Sequence, residues 1–169
     1  KDTNAMAQMG RKYGAHLNLI ETTIAKNDER KISMGKRVIA ALNGSRDGRI
    51  AVWGLAFKGG TDDCRESPAM EILNEILRHS KNVTVYDPKA MDNARKQLGD
   101  EVAYAPDEYE ACRGADVLVI LTEWEDFKTA DLNKIRSMMK THRILDLRNM
   151  LDADAVRAAG FDYSCIGMK

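Results

Sequence analysis

The residues best suited to chemistry gather in one stretch, WGLAFKGGTDDCRESP (53–68), where Lys58 is followed by Gly59 and Gly60, then Arg65, then Ser67-Pro68. Paired glycines let a backbone approach a ligand closely. Two cations beside a Ser-Pro helix start make a place for an anion, to which the helix N-terminus adds its own partial charge. The pattern is neither GxGxxG nor a P-loop, so it predicts a phosphate arrangement of another kind. Alone, Lys58 or Arg65 reads as a solvated surface cation; together in one glycine-rich turn they read as a site. Further along, DLRNM offers Arg148, which can grip a phosphate or carboxylate with two parallel hydrogen bonds or simply pair with Asp146. In LTEWEDF, Trp124 can stack on a nucleotide base or pack the adjoining helix. Asp87 resembles a ribose-binding acid at a strand end, but Pro88 behind it favours helix capping.

Other chemistries are poorly served. His16, His79 and His142 have no companions at ligand spacing, so no metal centre is expected. Cys64 stands beside Arg65, which favours a thiolate, yet no histidine is close in sequence to act as base, and packing is its simpler role. Cys112 and Cys165 read as small buried hydrophobes. Three widely spaced cysteines argue against a disulfide framework and for a reducing, cytoplasmic location.

These residues need elements to position them. The 169 residues carry 26 Lys+Arg against 26 Asp+Glu, so the chain has no general pull toward nucleic acid or an anionic membrane. No apolar run approaches a membrane span. The N-terminus, KDTNAMAQMG, lacks an apolar signal core and reads as a cut end. Thr3 predicts an N-cap, with Met6, Met9 and Tyr13 at helical spacing and Gly14 as the stop. A longer amphipathic helix follows, roughly 20 residues ending near Asn43-Gly44, with Leu17, Ile20, Ile24, Ile32, Val38 and Leu42 as its stripe. That stripe needs a partner surface, and we expect a second copy of the chain to supply it.

After NGSRDG the period changes. RIAVWGLA (49–56), NVTVYD (82–87), ADVLVIL (115–121) and RILDL (143–147) predict strands, with EVAYA weaker and FDYSCI last. Between them SPAMEILNEILRHS predicts a helix capped by Ser67 and opened by Pro68. DPKAMDNARKQLG repeats the device, with Asp87 as cap, Pro88 at the start and Gly99 at the stop. Continuous apolar strands alternating with helices predict an α/β fold, a doubly wound parallel sheet over 48–169 preceded by a helical segment over 1–44. Ligands bind such sheets at the carboxyl ends of the strands, which puts Lys58, Thr122, Glu123, Trp124 and Arg148 on one rim.

GLAFKGGTDDCRESP, VYDPKAMDNA, ADVLVILTEWEDF, DLRNMLD and AGFDYSCIG, in this order and spacing, closely resemble the C-terminal domain of bacterial UDP-glucose dehydrogenases, of the UDP-glucose/GDP-mannose dehydrogenase family. The opening KDT resembles the segment just after that family's GSCFPKD signature, and the long helix resembles its central dimerisation helix. The resemblance implies a Rossmann-like domain in an enzyme that oxidises UDP-glucose twice to UDP-glucuronate with two NAD+, through a cysteine placed before Lys1. It implies that Phe57, Lys58 and Arg148 contact the UDP-sugar and that Arg65 reaches NAD. Lys1 and Asp2 match the residues after that cysteine, with Asp2 orienting water. It further implies an N-terminal NAD-binding domain as partner, a homodimer, and little activity in this chain alone. VYDPKAMDNA with TEWEDF favours UDP-glucose, whereas GDP-mannose and UDP-N-acetylmannosamine dehydrogenases share the GLAFK-type turn. A stand-alone nucleotide-sugar-binding module is the alternative from another class.

Overall fold

The computed structural model of the chain describes residues 2–45 and 47–168. Two helices come first, α1 (Asp2–Lys12) and α2 (Asn18–Ala40). Thr3 lies inside α1 rather than capping it. Gly14 ends the first helical run as expected, at φ 68°. The turn after α2 carries Asn43 and Gly44 at positive φ, where the chain reverses into the sheet.

Six strands follow: β1 (Ile50–Trp53), β2 (Val83–Tyr86), β3 (Ala103–Tyr104), β4 (Val117–Ile120), β5 (Arg143–Asp146) and β6 (Asp162–Cys165). They form one sheet in the order β3-β2-β1-β4-β5-β6, and every pairing is parallel. Every residue of β1 and of β4 is buried, which is why these strands read as continuous apolar runs. The intervening helices are α3 (Pro68–Leu77), α4 (Met91–Leu98), α5 (Glu108–Ala111), α6 (Glu125–Lys128), α7 (Leu132–Met138) and α8 (Ala153–Ala158). Because parallel crossovers are right-handed, connections running in opposite directions from the centre of the sheet place their helices on opposite faces. Between β1 and β4 the strand order reverses, the point at which sheets of this kind bind ligands beyond the carboxyl ends.

Ser67 caps α3 through a side-chain bond from Ala69 N, with Pro68 in the first turn, as its sequence predicts. The helix after β2 starts later than predicted, at Met91, and Asp87 caps the preceding turn instead. Gly99 ends that helix at φ 52°.

The expectation that the whole stripe of α2 lacks a surface within the chain is corrected. Met34, Val38 and Leu42 belong to the same hydrophobic core as the sheet. Gly35 makes this approach feasible, since a Cβ there would lie 2.7 Å from the Glu75 side chain on α3. Arg37 Nη2 fastens the same stretch to the last strand by donating to Cys165 O at 2.9 Å and Met168 O at 3.0 Å. Most of the apolar residues left uncovered in the helical segment are nearer the start: Met6, Met9, Tyr13 and Leu19 are exposed and Ile20 and Ile24 half-buried, while Ile32 is the exposed member of the stripe further along.

Candidate functional site

The turn after β1 is shaped by two close approaches. Gly54 sits at φ 90°, and a Cβ there would lie 2.5 Å from Thr122 Cβ, so glycine is required both by conformation and by space. Thr122 Oγ1 donates to Ala56 O at 2.7 Å, tying the turn after β4 to the turn after β1. Gly59 rests on the Glu123 carbonyl, which would lie 2.2 Å from a Cβ. Phe57 N donates to Asp63 O at 2.8 Å and closes the loop. Phe57 and Lys58 are therefore lifted into solvent, Phe57 with half its surface exposed.

Asp87, at the end of β2, holds this arrangement from beneath. Its carboxylate is buried and accepts five hydrogen bonds: Leu55 N at 2.7 Å, Ala56 N at 3.0 Å and Trp124 Nε1 at 3.1 Å on Oδ2, and Lys89 N at 2.9 Å and Ala90 N at 2.8 Å on Oδ1. A carboxylate so fully used by backbone and indole donors is not offered to a ribose. Trp124 is likewise buried, and its capacity to donate goes to Asp87, so it packs rather than presenting a free face for a base.

Arg148 follows β5. Its backbone N donates to Asp146 Oδ1 at 2.8 Å. The other oxygen of the buried Asp146 accepts from Met150 N at 2.8 Å, Leu151 N at 3.0 Å and Tyr163 OH at 2.9 Å. Burial first, then the Asp146 charge, pushes the Tyr163 hydroxyl far up, so it stays a proton donor to the carboxylate. Asn149, at φ 53°, exchanges two hydrogen bonds with the backbone of Ile166. The backbone under Arg148 is thus fixed on two sides. Its side chain does not pair with Asp146; the guanidinium forms an ion pair with Glu123, across the gap between the β4 and β5 turns.

Arg65 belongs to a different opening. Asp63 holds its guanidinium edge, with Nε donating to Oδ1 at 2.9 Å and Nη2 to Oδ2 at 2.8 Å, while its side chain is 85% exposed. Hydrogen bonding to Asp63, then its charge, raises the Arg65 pKa, so the cation is permanent. It lines a cavity of about 1100 Å³ between the helical segment, the turn after β1 and the start of α3, with Thr3, Asn4, Ile24, Lys31 and Phe57. Lys31 bridges Asp28 at 2.7 Å and Glu71 at 2.6 Å. Burial alone would lower its pKa, but these two bonds and charges raise it. Asp2 is exposed in the first turn of α1, beside Thr3 and Asn4 of the cavity wall, and Lys1 lies outside the described residues. Phe57 is common to the cavity and the rim.

Cys64 is buried with its Sγ facing Ala90 O at 3.8 Å. Burial, then the charges of Asp87, Asp63 and Asp62, pushes its thiol up to about 11, so the neighbouring arginine does not make it a nucleophile. Among the described residues no group of His, Cys, Asp and Glu is arranged to hold a metal ion. The strand-end rule finds Lys58, Glu123 and Arg148. Sequence reasoning misses the Glu123–Arg148 pair, the Asp63 clamp and the cavity residues Asn4 and Lys31. Asp63, two residues before an arginine, is the one local signal available for these.

Comparison with known proteins bears on the family and the fold. The family model described as "UDP-glucose/GDP-mannose dehydrogenase family, UDP binding domain" matches residues 51–153. A UDP-glucose 6-dehydrogenase of Rhizobium meliloti (strain 1021) is 45% identical over 168 residues, covering 99% of this chain and 38% of that protein. A solved UDP-glucose dehydrogenase from the hyperthermophilic archaeon Pyrobaculum islandicum superimposes with a TM-score of 0.78 at 27% identity, over 99% of this chain and 36% of the other. A UDP-D-ManNAc dehydrogenase from Pyrococcus horikoshii gives 0.73 at 29% identity, over 89% of this chain and 34% of the other. The chain therefore spans less than two fifths of the length of each of these relatives.

Proposed function

Because this chain belongs to the UDP-glucose/GDP-mannose dehydrogenase family, we propose that it is the UDP-binding and helical part of an NAD-dependent UDP-glucose 6-dehydrogenase, which converts UDP-glucose to UDP-glucuronate in the cytoplasm. The observation that carries this reading is the rim itself: the turns after β1 and β5, on either side of β4, carry Phe57, Lys58 and Arg148 at the carboxyl ends of the sheet, on backbones fixed by Asp87 and Asp146. Lys58 and Arg148 bind the charged nucleotide portion of the substrate, and Phe57 forms an apolar wall where the rim passes into the cavity. The sugar then points toward the cavity, where Asp2 beside its wall orients water for the hydrolytic step.

The chain offers NAD one contact. Arg65 presents an exposed guanidinium to the cavity, and no GxGxxG cradle exists in the sequence, so the residues fit one side of the cofactor, completed by an N-terminal NAD-binding domain. NAD, when bound, supplies the hydride acceptor for the two oxidations at the sugar C6. The exposed apolar side chains of α1 and the first half of α2 serve as the homodimer contact.

Lys58→Ala and Arg148→Ala test the rim directly. Each is expected to weaken UDP-glucose binding to this chain by about 1–3 kcal/mol, the loss of a charge-assisted hydrogen bond. UDP-glucose binding equal to that of the unaltered chain in both variants would place the nucleotide elsewhere.

A further inference from the structure

We propose that Glu123 is a built-in counter-ion that occupies Arg148 until the ligand's phosphate displaces it, and so sets the affinity and selectivity of the rim for nucleoside diphosphates. The inference rests on the reading of Arg148 as a substrate contact. Three observations carry it. The Arg148 guanidinium forms an ion pair with Glu123 and with no other carboxylate among the described residues. Glu123 Oε2 is enclosed at this contact, where the Arg148 guanidinium meets it. Both side chains are partly exposed, at 36% and 41%, so Glu123 has open solvent to swing into.

The surrounding backbone explains why the exchange is clean. Glu123 rides on a turn pinned by Thr122 Oγ1 to Ala56 O and pressed against Gly59, and Arg148 on one pinned by Asp146. Breaking the side-chain pair therefore leaves both turns in place. A partly exposed pair of this kind contributes on the order of 1 kcal/mol or less. A diphosphate offers Arg148 more charge and several acceptor oxygens, so it outcompetes the carboxylate, whereas a weakly charged ligand does not. The rim is thereby closed to ligands that bring no strong anion.

Glu123→Gln preserves shape and removes the charge. Titrated with UDP, this variant is expected to bind about two- to fivefold more tightly than the unaltered chain, the equivalent of the released pair. The gain is expected to vanish when Arg148→Ala is added, because Glu123 acts through Arg148. A purely structural Glu123 predicts the opposite sign, weaker binding in Glu123→Gln, and that result, or unchanged affinity, overturns the inference. If it occurs while Arg148→Ala alone still weakens UDP binding, the nucleotide reading of the rim stands and the counter-ion falls. If Arg148→Ala leaves UDP binding unchanged, both fall. Thermal melts of the three variants confirm that folded protein is compared, and Glu123→Ala, expected to shift affinity in the same direction as Glu123→Gln, serves as the second variant.

Discussion

Asp87 and Asp146 show how single buried carboxylates can fix the backbone beneath an exposed cation at a strand end. Asp87, just past β2, holds backbone N–H groups of the turn after β1, and Asp146, at the end of β5, holds those of the turn that follows it, so Lys58 and Arg148 inherit fixed backbones. Cys64 shows the converse, a nominally reactive group silenced by its surroundings. Its thiol moves from an ordinary value of 9.0 to about 11 in the fold, so the folded state holds the proton more tightly than the unfolded chain. The sign follows from linkage: this contribution is complete below pH 9.0 and is lost as pH rises toward 11. Urea melts across that window should show a falling midpoint, less steep in Cys64→Ala; an identical slope in that variant would contradict the assignment. At this scale residue type is legible in the sequence and partnership is not. Arg148 and Asp146 stand two apart, which suggests a side-chain pair, but the turn gives that carboxylate to backbone N–H groups and hands the guanidinium to Glu123, 25 positions earlier.

The elements are legible where period and punctuation agree. Ser67-Pro68 opens α3, Gly99 closes α4, and the four strong apolar runs form the central strands. The short helices α6 and α7 cannot be read one by one, since four to seven residues carry too little period to detect. The stripe of α2 is plain, but its partner is not: that α3 takes Met34 and Val38 depends on Gly35 facing Glu75 across a tertiary contact. A tightly constrained meeting of elements is where the turns after β1 and β4 touch. Gly54→Ala imposes both a strained φ and a clash with Thr122, and is expected to cost about 2–5 kcal/mol in chemical denaturation. A cost below about 0.5 kcal/mol would mean that the two turns are free to separate.

For the molecule as a whole, the strand order β3-β2-β1-β4-β5-β6 reverses between β1 and β4, and the helical segment adds a cavity that reaches Phe57 in the turn after β1. On the proposed reading, the rim and the cavity, joined at one aromatic side chain, take the charged nucleotide end and the neutral reactive end of one substrate. The fold class and the rim follow from the strand pattern and strand-end chemistry; the cavity does not, because its walls come from α1, α2, α3 and the turn after β1, which sequence alone does not bring together. The most direct test is calorimetric titration of this chain with UDP-glucose, GDP-mannose and NAD+ in separate runs under one buffer. The account predicts saturable binding of UDP-glucose, weaker binding of GDP-mannose, and little heat from NAD+, for which Arg65 is the contact proposed on this chain. Saturation by GDP-mannose or NAD+ with none by UDP-glucose would contradict it.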